Sequence, residues 1–281
     1  MIYKDSDNKM PVVAILERML ALAGPDKRAL IAHELRMMRA GILAEREATA
    51  LIDVHLKDST RTAVVHDLRL VSNEGAAARI DHLLIHRSRR FYVLDTRYFA
   101  HGLKITEDSD FLRWSEADKR HAPIPSPFDA LARQVSVLRD ALEAFGLDDA
   151  PVETLVLLAP NARIERPRRF DGDTMRVMRA DQFLEKLNNG VENAQATALA
   201  KLHELNRTRM SESIGEIAQR LIALHRPSTA DTMARFGLRR DAAMPGHCPP
   251  APSAPPAADS EGDPPAPEQN QALAAESMRS T

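Results

Sequence analysis

Two acidic residues sit inside neighbouring apolar runs. Asp81 lies in Ile80-Asp81-His82-Leu83-Leu84-Ile85, and Asp95 lies in Phe91-Tyr92-Val93-Leu94-Asp95-Thr96-Arg97. Only the basic stretch His86-Arg87-Ser88-Arg89-Arg90 separates them. Both runs read as short strands, and the stretch between them reads as the turn of a hairpin. A hairpin can bring the two carboxylates close together. A carboxylate in a strand core is costly unless a metal ion, a cation or hydrogen bonds compensate. Strand side chains alternate, so Asp95 and Arg97 share one face and Thr96 the other. Asp81 can reach the Asp95 face, while His82 beside it points to the opposite one. Glu45, on a preceding helix, is a candidate third carboxylate. Such oxygen ligands suit a hard divalent cation, Mg2+ or Mn2+. That ion lowers the pKa of a bound water and stabilises charge on a phosphodiester in the transition state. A neighbouring cation orients the water and offsets the developing charge. The alternative is that Arg97 pairs with Asp95 or Asp81 and the charges hold one another without metal.

The elements that must position these residues are legible from periodicity and breakers. Val12, Ile15, Leu16, Met19 and Leu22 recur at helical spacing after a frayed polar start at 1–10, and the helix stops near Gly24-Pro25. A second helix runs from Asp26 through Leu30, Ile31, Leu35 and Met38. Gly41 interrupts it, and a further helix over Leu43–Leu51 carries Glu45. Thr62–Val71 is a β-branched strand, followed by a turn at Ser72–Gly75 and then the two acidic strands. Leu103-Lys104-Ile105 is a fourth strand. Residues 106–127 are irregular, because Pro123, Pro125 and Pro127 keep them out of regular structure. Leu131, Val135, Leu138 and Leu142 mark an amphipathic helix over Phe128–Ala144. Val152–Leu158 is a buried strand, Met175–Met178 a weaker one, and helices follow from Asp181, over 192–206 and over 211–225. Half of the 18 prolines lie between Pro245 and Pro267. Such a segment cannot bury enough apolar surface to offset chain entropy, so 240–281 is expected to be a disordered tail.

The composition narrows the class. With 44% hydrophobic and 28% charged residues the chain can build a globular core. A net charge of −2 excludes a global electrostatic bias toward nucleic acid or membrane, so any basic footprint must be local. Two candidates are Arg87, Arg89 and Arg90 in the turn, and Arg163, Arg166, Arg168 and Arg169 after the fifth strand. Each is a source of salt-sensitive phosphate affinity or simply a solvated turn. The one cysteine, Cys248, excludes an intramolecular disulfide and a multi-thiolate zinc site. His247-Cys248 alone makes a poor metal site. No leader-like or membrane-spanning run is evident, and a cytoplasmic location with no membrane partner is expected.

These residues resemble the nuclease-related domain, NERD, a branch of the PD-(D/E)xK nuclease superfamily. The motifs are Gly41-Ile42-Leu43-Ala44-Glu45, then Ile80-Asp81-His82, then Asp95-Thr96-Arg97-Tyr98-Phe99-Ala100-His101-Gly102, and later Trp114, Pro127 and Gln134. The resemblance covers roughly 40–160. Two departures matter. Ala44 stands where the family helix motif has a second glycine, and Asp95-x-Arg97 replaces Glu-x-Lys. Arginine keeps its charge at any accessible pH and cannot serve as a base, although it can clamp a phosphate in bidentate fashion. Lys104 on the next strand is a candidate substitute for the missing lysine, and His101 a candidate substrate contact.

The resemblance implies an α/β fold: a PD-(D/E)xK-like central mixed sheet flanked by helices. The expected organisation is N-terminal helices over 1–40, the α/β core over 41–190, C-terminal helices over 191–239 and the tail. The implied function is Mg2+- or Mn2+-dependent hydrolysis of DNA. Asp81, Asp95 and Glu45 would hold the metal, Arg97 would take the lysine's place, and Gln134 would complete the site. The alternatives are a catalytically degenerate nucleic-acid-binding module and a protein-interaction scaffold on the same fold.

Overall fold

Alternation in the acidic strands builds the centre of the protein. The computed structural model describes residues 1–116, 118–168, 172–193 and 213–227. All of them belong to one structural unit, Met1–Ala243. β3 (Ala77–His86) and β4 (Phe91–Arg97) form the expected antiparallel hairpin. β2 (Thr62–Val71) pairs with the other edge of β3. β8 (Val152–Leu158) pairs parallel with β4, β10 (Val177–Arg179) parallel with β8, and β1 (Ile2–Lys4) parallel with β2. The result is a six-stranded mixed sheet in the order β1-β2-β3-β4-β8-β10.

Helices cover both faces. Leu83, Ile85 and Val93 point to one face and pack with Leu131 and Leu138 of α3 (Pro127–Glu143) and with Ile217 and Leu221 of a C-terminal helix, Ile214–Ala223. Leu84 and Leu94 point to the other face and pack with Ala48, Ile52 and Leu56 of α2 (Pro25–Leu56) and with Phe183 and Leu187 of α5 (Ala180–Asn193). A short helical turn, α4 (Gly172–Met175), precedes β10, and the C-terminal helix is numbered α6. α1 (Met10–Leu22) packs on the first half of α2 through a separate small core of Val13, Leu16, Met19, Ile31 and Leu35. Fully burying one such aliphatic side chain is worth roughly 1.5–3 kcal/mol.

Three expectations need correction. Gly41 does not interrupt α2, which is continuous over 32 residues. A lone glycine costs only about 1 kcal/mol in a helix, and the buried Ile42, Ala48 and Ile52 beyond it offset that. Residues 106–127 are not irregular throughout. β6 (Phe111–Ser115) and β7 (Arg120–Ile124) pair antiparallel there. With β5 (Leu103–Ile105) and β9 (Ile164–Glu165) they make a second sheet in the order β7-β6-β5-β9. Pro123 is tolerated because β7 is an edge strand, where a missing N–H harms no ladder. The start of the chain is not frayed, since Ile2–Lys4 adds to the edge of β2 as a strand too short to show periodicity.

α3 begins where Ser126 caps the Phe128 N–H at 3.2 Å and Pro127 takes the first helical position. The helices expected at Asp181 and over 211–225 are present as α5 and α6. The rest of 192–206 beyond Asn193, together with Arg169, His247, Cys248 and the 240–281 tail, lies outside the described residues. Among the described residues no helix is long and apolar enough to cross a membrane.

Candidate active site

The ladder between β3 and β4 ends at His82–Leu94. Asp81 and Asp95 are therefore the next residues outward, one on each strand and on the α3 face. Each is only 5% exposed. Burial pushes the Asp81 carboxyl up to about 6; the Arg79 guanidinium pulls against this, and the Asp95 charge adds to the push. The Asp95 charge is thus felt at Asp81.

Each is held by named partners. The Thr96 backbone N–H donates to Asp81 Oδ2 at 2.9 Å, and Arg79 Nη2 pairs with Asp81 Oδ1 at 2.9 Å. Arg97 Nε donates to Asp95 Oδ2. Gln134 Nε2, from the buried face of α3, donates to Asp95 Oδ1 at 3.2 Å. A carboxylate only accepts, so the amide must turn its nitrogen to Asp95. Its Oε1 is then buried beside the carboxylates with no hydrogen-bond partner. An orphaned buried oxygen of this kind calls for a ligand, a water or an ion.

Glu45 is in the vicinity but does not join Asp95. One of its oxygens pairs with Arg79 Nη2 at 3.0 Å and the other with Lys9 Nζ. Arg79 is the hub. It pairs with Glu45, with Asp81, and at 3.1 Å with Asp67. Lys9 Nζ also reaches Asp67, at 2.9 Å. Burial, with Arg79 nearby, lowers the Lys9 amine below its ordinary value, against the pull of Asp67 and Asp81. Among the described residues, no three His, Cys, Asp or Glu side chains converge as a metal cage. The oxygens of Asp81, Asp95 and Gln134 are of the chemical type Mg2+ takes, an ion commonly held by one or two carboxylates with its other positions left to water and substrate.

Sequence reasoning missed Lys9, Asp67 and Arg79. Asp67 had a detectable signal, being a charged residue inside a β-branched run. The ladder pairs His66 with His82 and Leu68 with Ile80, but skips the step between them. Asp67 there takes φ 51°, a left-handed conformation that only a few residue types other than glycine tolerate, aspartate among them. Lys9 is distant in sequence and gave no signal.

Other candidates fall elsewhere. Lys104 is on β5 of the second sheet, and no ion pair joins it to Asp81 or Asp95. His101 and Trp114 both meet Glu116, at 3.2 and 2.9 Å, which ties the loop after β4 to the β6–β7 hairpin. Gly102 in that loop has φ 85°, and a Cβ there would lie 2.5 Å from the Arg163 carbonyl oxygen, so the approach requires glycine. The Arg87–Arg90 turn is at the far end of the hairpin, about 13–17 Å of strand from the aspartates. Arg90 pairs there with Glu153. In the second basic patch, Arg163 pairs with Glu165 and Arg166 donates to the Val177 carbonyl.

Residues 40–159 match the family model of the nuclease-related domain. That stretch is a nuclease-related domain. It contains the second half of α2, strands β2–β7, α3 and β8, and with them every predicted site residue. The NERD domain ends short of β10 and begins after Lys9, so Lys9 reaches the site from outside it. No curated protein and no solved structure matches the chain.

Proposed function

We propose that the NERD domain hydrolyses phosphodiester bonds in DNA with a divalent cation, Mg2+ or Mn2+, held by Asp81 and Asp95. The observation that carries this is the pair of buried carboxylates at the open end of the β3–β4 ladder, with the unpartnered Gln134 oxygen beside them. When bound, the cation supplies Lewis acidity and an activated water. The chain's own residues do the rest. Gln134 fixes the rotamer of Asp95, and the Thr96 N–H fixes that of Asp81. Arg97, with its side chain 40% exposed, is placed to turn toward a phosphate and offset charge there. It cannot remove a proton from water, so it replaces the family's lysine only as a cation. Glu45 assists indirectly, by holding Arg79 against Asp81.

A second reading is favoured by the same ion pairs. Arg79 on Asp81 and Arg97 on Asp95 give each carboxylate its own internal cation. A degenerate module would keep these pairs and retain nucleic acid through its arginines. It predicts salt-dependent DNA binding without cleavage and no gain from Arg97→Lys. The deciding experiment is Mg2+ and Mn2+ titration of cleavage on linear, nicked and single-stranded DNA, run beside Asp81→Ala and Arg97→Lys. Metal-dependent cleavage that is lost in Asp81→Ala supports the first reading. Cleavage unchanged in Asp81→Ala rejects the assignment.

A further inference from the structure

Behind the candidate site, on the α2 face of the sheet, three buried polar side chains form a chain of their own. His66 is 0% exposed, His82 1% and Thr96 8%. His82 Nε2 lies 3.1 Å from Thr96 Oγ1, and His82 Nδ1 lies 2.8 Å from His66 Nδ1. His66 Nε2 lies 3.0 Å from Oδ1 of Asp53, which reaches in from α2 with its side chain 34% exposed. The two rings meet edge to face, at 86°.

The carboxylate at one end fixes the direction of every bond. A carboxylate only accepts, so His66 Nε2 carries the hydrogen. A neutral imidazole has one N–H, so His66 Nδ1 is bare and accepts from His82 Nδ1–H. His82 Nε2 is then bare and accepts from the Thr96 hydroxyl. Every group is satisfied with both rings neutral, the state that burial favours for each. The reverse direction needs a protonated Asp53 or a charged imidazole in the core.

We propose that this one-way relay, Thr96 to His82 to His66 to Asp53, is a positioning device for Asp81, and so for the divalent cation of the reading above, on which its metal arm rests. The link is the Thr96 residue itself. Its hydroxyl is anchored behind the sheet, while its backbone N–H donates to Asp81 Oδ2 in front. Because the β3–β4 ladder has already ended at Leu94, this N–H serves the carboxylate side chain in place of a strand carbonyl. Pinning the hydroxyl fixes the orientation of the peptide and with it the rotamer of Asp81. His66, His82 and Asp53 are positioning residues and touch no reacting atom.

The first test uses the full chain unchanged. Nitrogen-15 NMR of the imidazoles should find His82 protonated on Nδ1, the minority tautomer in water, and His66 protonated on Nε2. His82 protonated on Nε2, or either ring doubly protonated at neutral pH, overturns the relay. The second test needs no metal. In Thr96→Val, which keeps the shape and the N–H but loses the hydroxyl, amide exchange at residue 96 should be several-fold faster, and Thr96→Ser should restore the slow rate. Equal exchange in Thr96→Val and the parent chain overturns the positioning role. The third test is Mn2+ binding, followed by the spin resonance of the free ion. Partners behind a metal ligand are worth 10–100-fold in affinity, so Thr96→Val should bind about tenfold more weakly, with Thr96→Ser close to the parent. Unchanged affinity in Thr96→Val overturns the proposal. A parent chain that binds no Mn2+ rejects the metal reading alone, and the tautomers and the exchange rate then decide the relay.

Discussion

The two faces of the hairpin that carries Asp81 and Asp95 handle buried polarity in opposite ways. On the α3 face the groups are charged, and arginines that remain about 40% exposed reach in to meet them. On the α2 face, one residue along each strand, His82 and Thr96 are neutral and satisfied within a closed chain ending on Asp53. Neutral, mutually bonded groups rigidify a core at little desolvation cost. Charged groups held by half-exposed cations are a costly solution for stability, but they leave room for exchange of partners. On the hydrolytic reading, the difference separates a face that supports the fold from a face that would do the chemistry.

The largest expected effect breaks the comparison on the charged face. Asp81→Ala should lower metal-dependent cleavage by well over about a hundredfold, since even partners behind a ligand cost 10–100-fold. A steady-state cleavage assay at saturating Mn2+ measures it. An equal loss in His82→Ala and in Asp81→Ala would erase the distinction between chemistry and support.

The neutral face should dominate stability instead. His82→Ala removes a fully buried ring, leaves His66 and Thr96 without partners, and opens a cavity. The expected loss is about 3 kcal/mol, read from urea denaturation midpoints at constant slope. A loss under about 1 kcal/mol would mean that the relay contributes little to the fold.

How much of this was legible beforehand follows from the range of each signal. Strand alternation is local, so the opposite orientations of Asp81 and His82, and of Asp95 and Thr96, could be read directly. Gln134 entered through the family motif alone, and its burial on the inner face of α3 is a finding of the structure. The pairing of His66 with His82 needed the β2–β3 register, which no local pattern fixes. Lys9 and Arg79 were missed for a similar reason. Lys9 is 36 residues from Glu45 and 58 from Asp67 in sequence, and nothing in a polar N-terminal segment says where it lands. Gly41 and Pro123 misled because breakers were read without context. A packed 32-residue helix absorbs one glycine, and an edge strand absorbs a proline.

The charged face should also show its cost in the pH dependence of stability. Asp81 titrates at about 6 in the folded protein against an ordinary value of 3.8. A raised folded-state value means that the native protein holds the proton more tightly. The stability this gives is complete below about 3.8 and is lost as pH rises through 6. Asp81→Asn abolishes the titration while keeping an acceptor for the Thr96 N–H. It should be about 2 kcal/mol more stable than the parent at pH 8, with the gap closing toward pH 4. Denaturation midpoints that track each other across this range would contradict the assignment of a buried, charged Asp81.

The smallest effect is the most discriminating. Arg97→Ala removes the cation on Asp95, and if that pair were a buried structural bridge the loss would be about 3–5 kcal/mol. The Arg97 side chain is 40% exposed, so solvent screens the pair, and Gln134 remains on the other oxygen of Asp95. The expected loss is about 0.5–1 kcal/mol, with weaker DNA retention at low salt as the larger phenotype. Thermal denaturation beside a salt-series binding measurement separates the two outcomes. A loss of several kcal/mol would place Arg97 with the neutral face, as a structural residue, and would make the degenerate reading the better account of the domain. A small loss leaves Arg97 free to exchange Asp95 for a phosphate, which the hydrolytic reading requires of it.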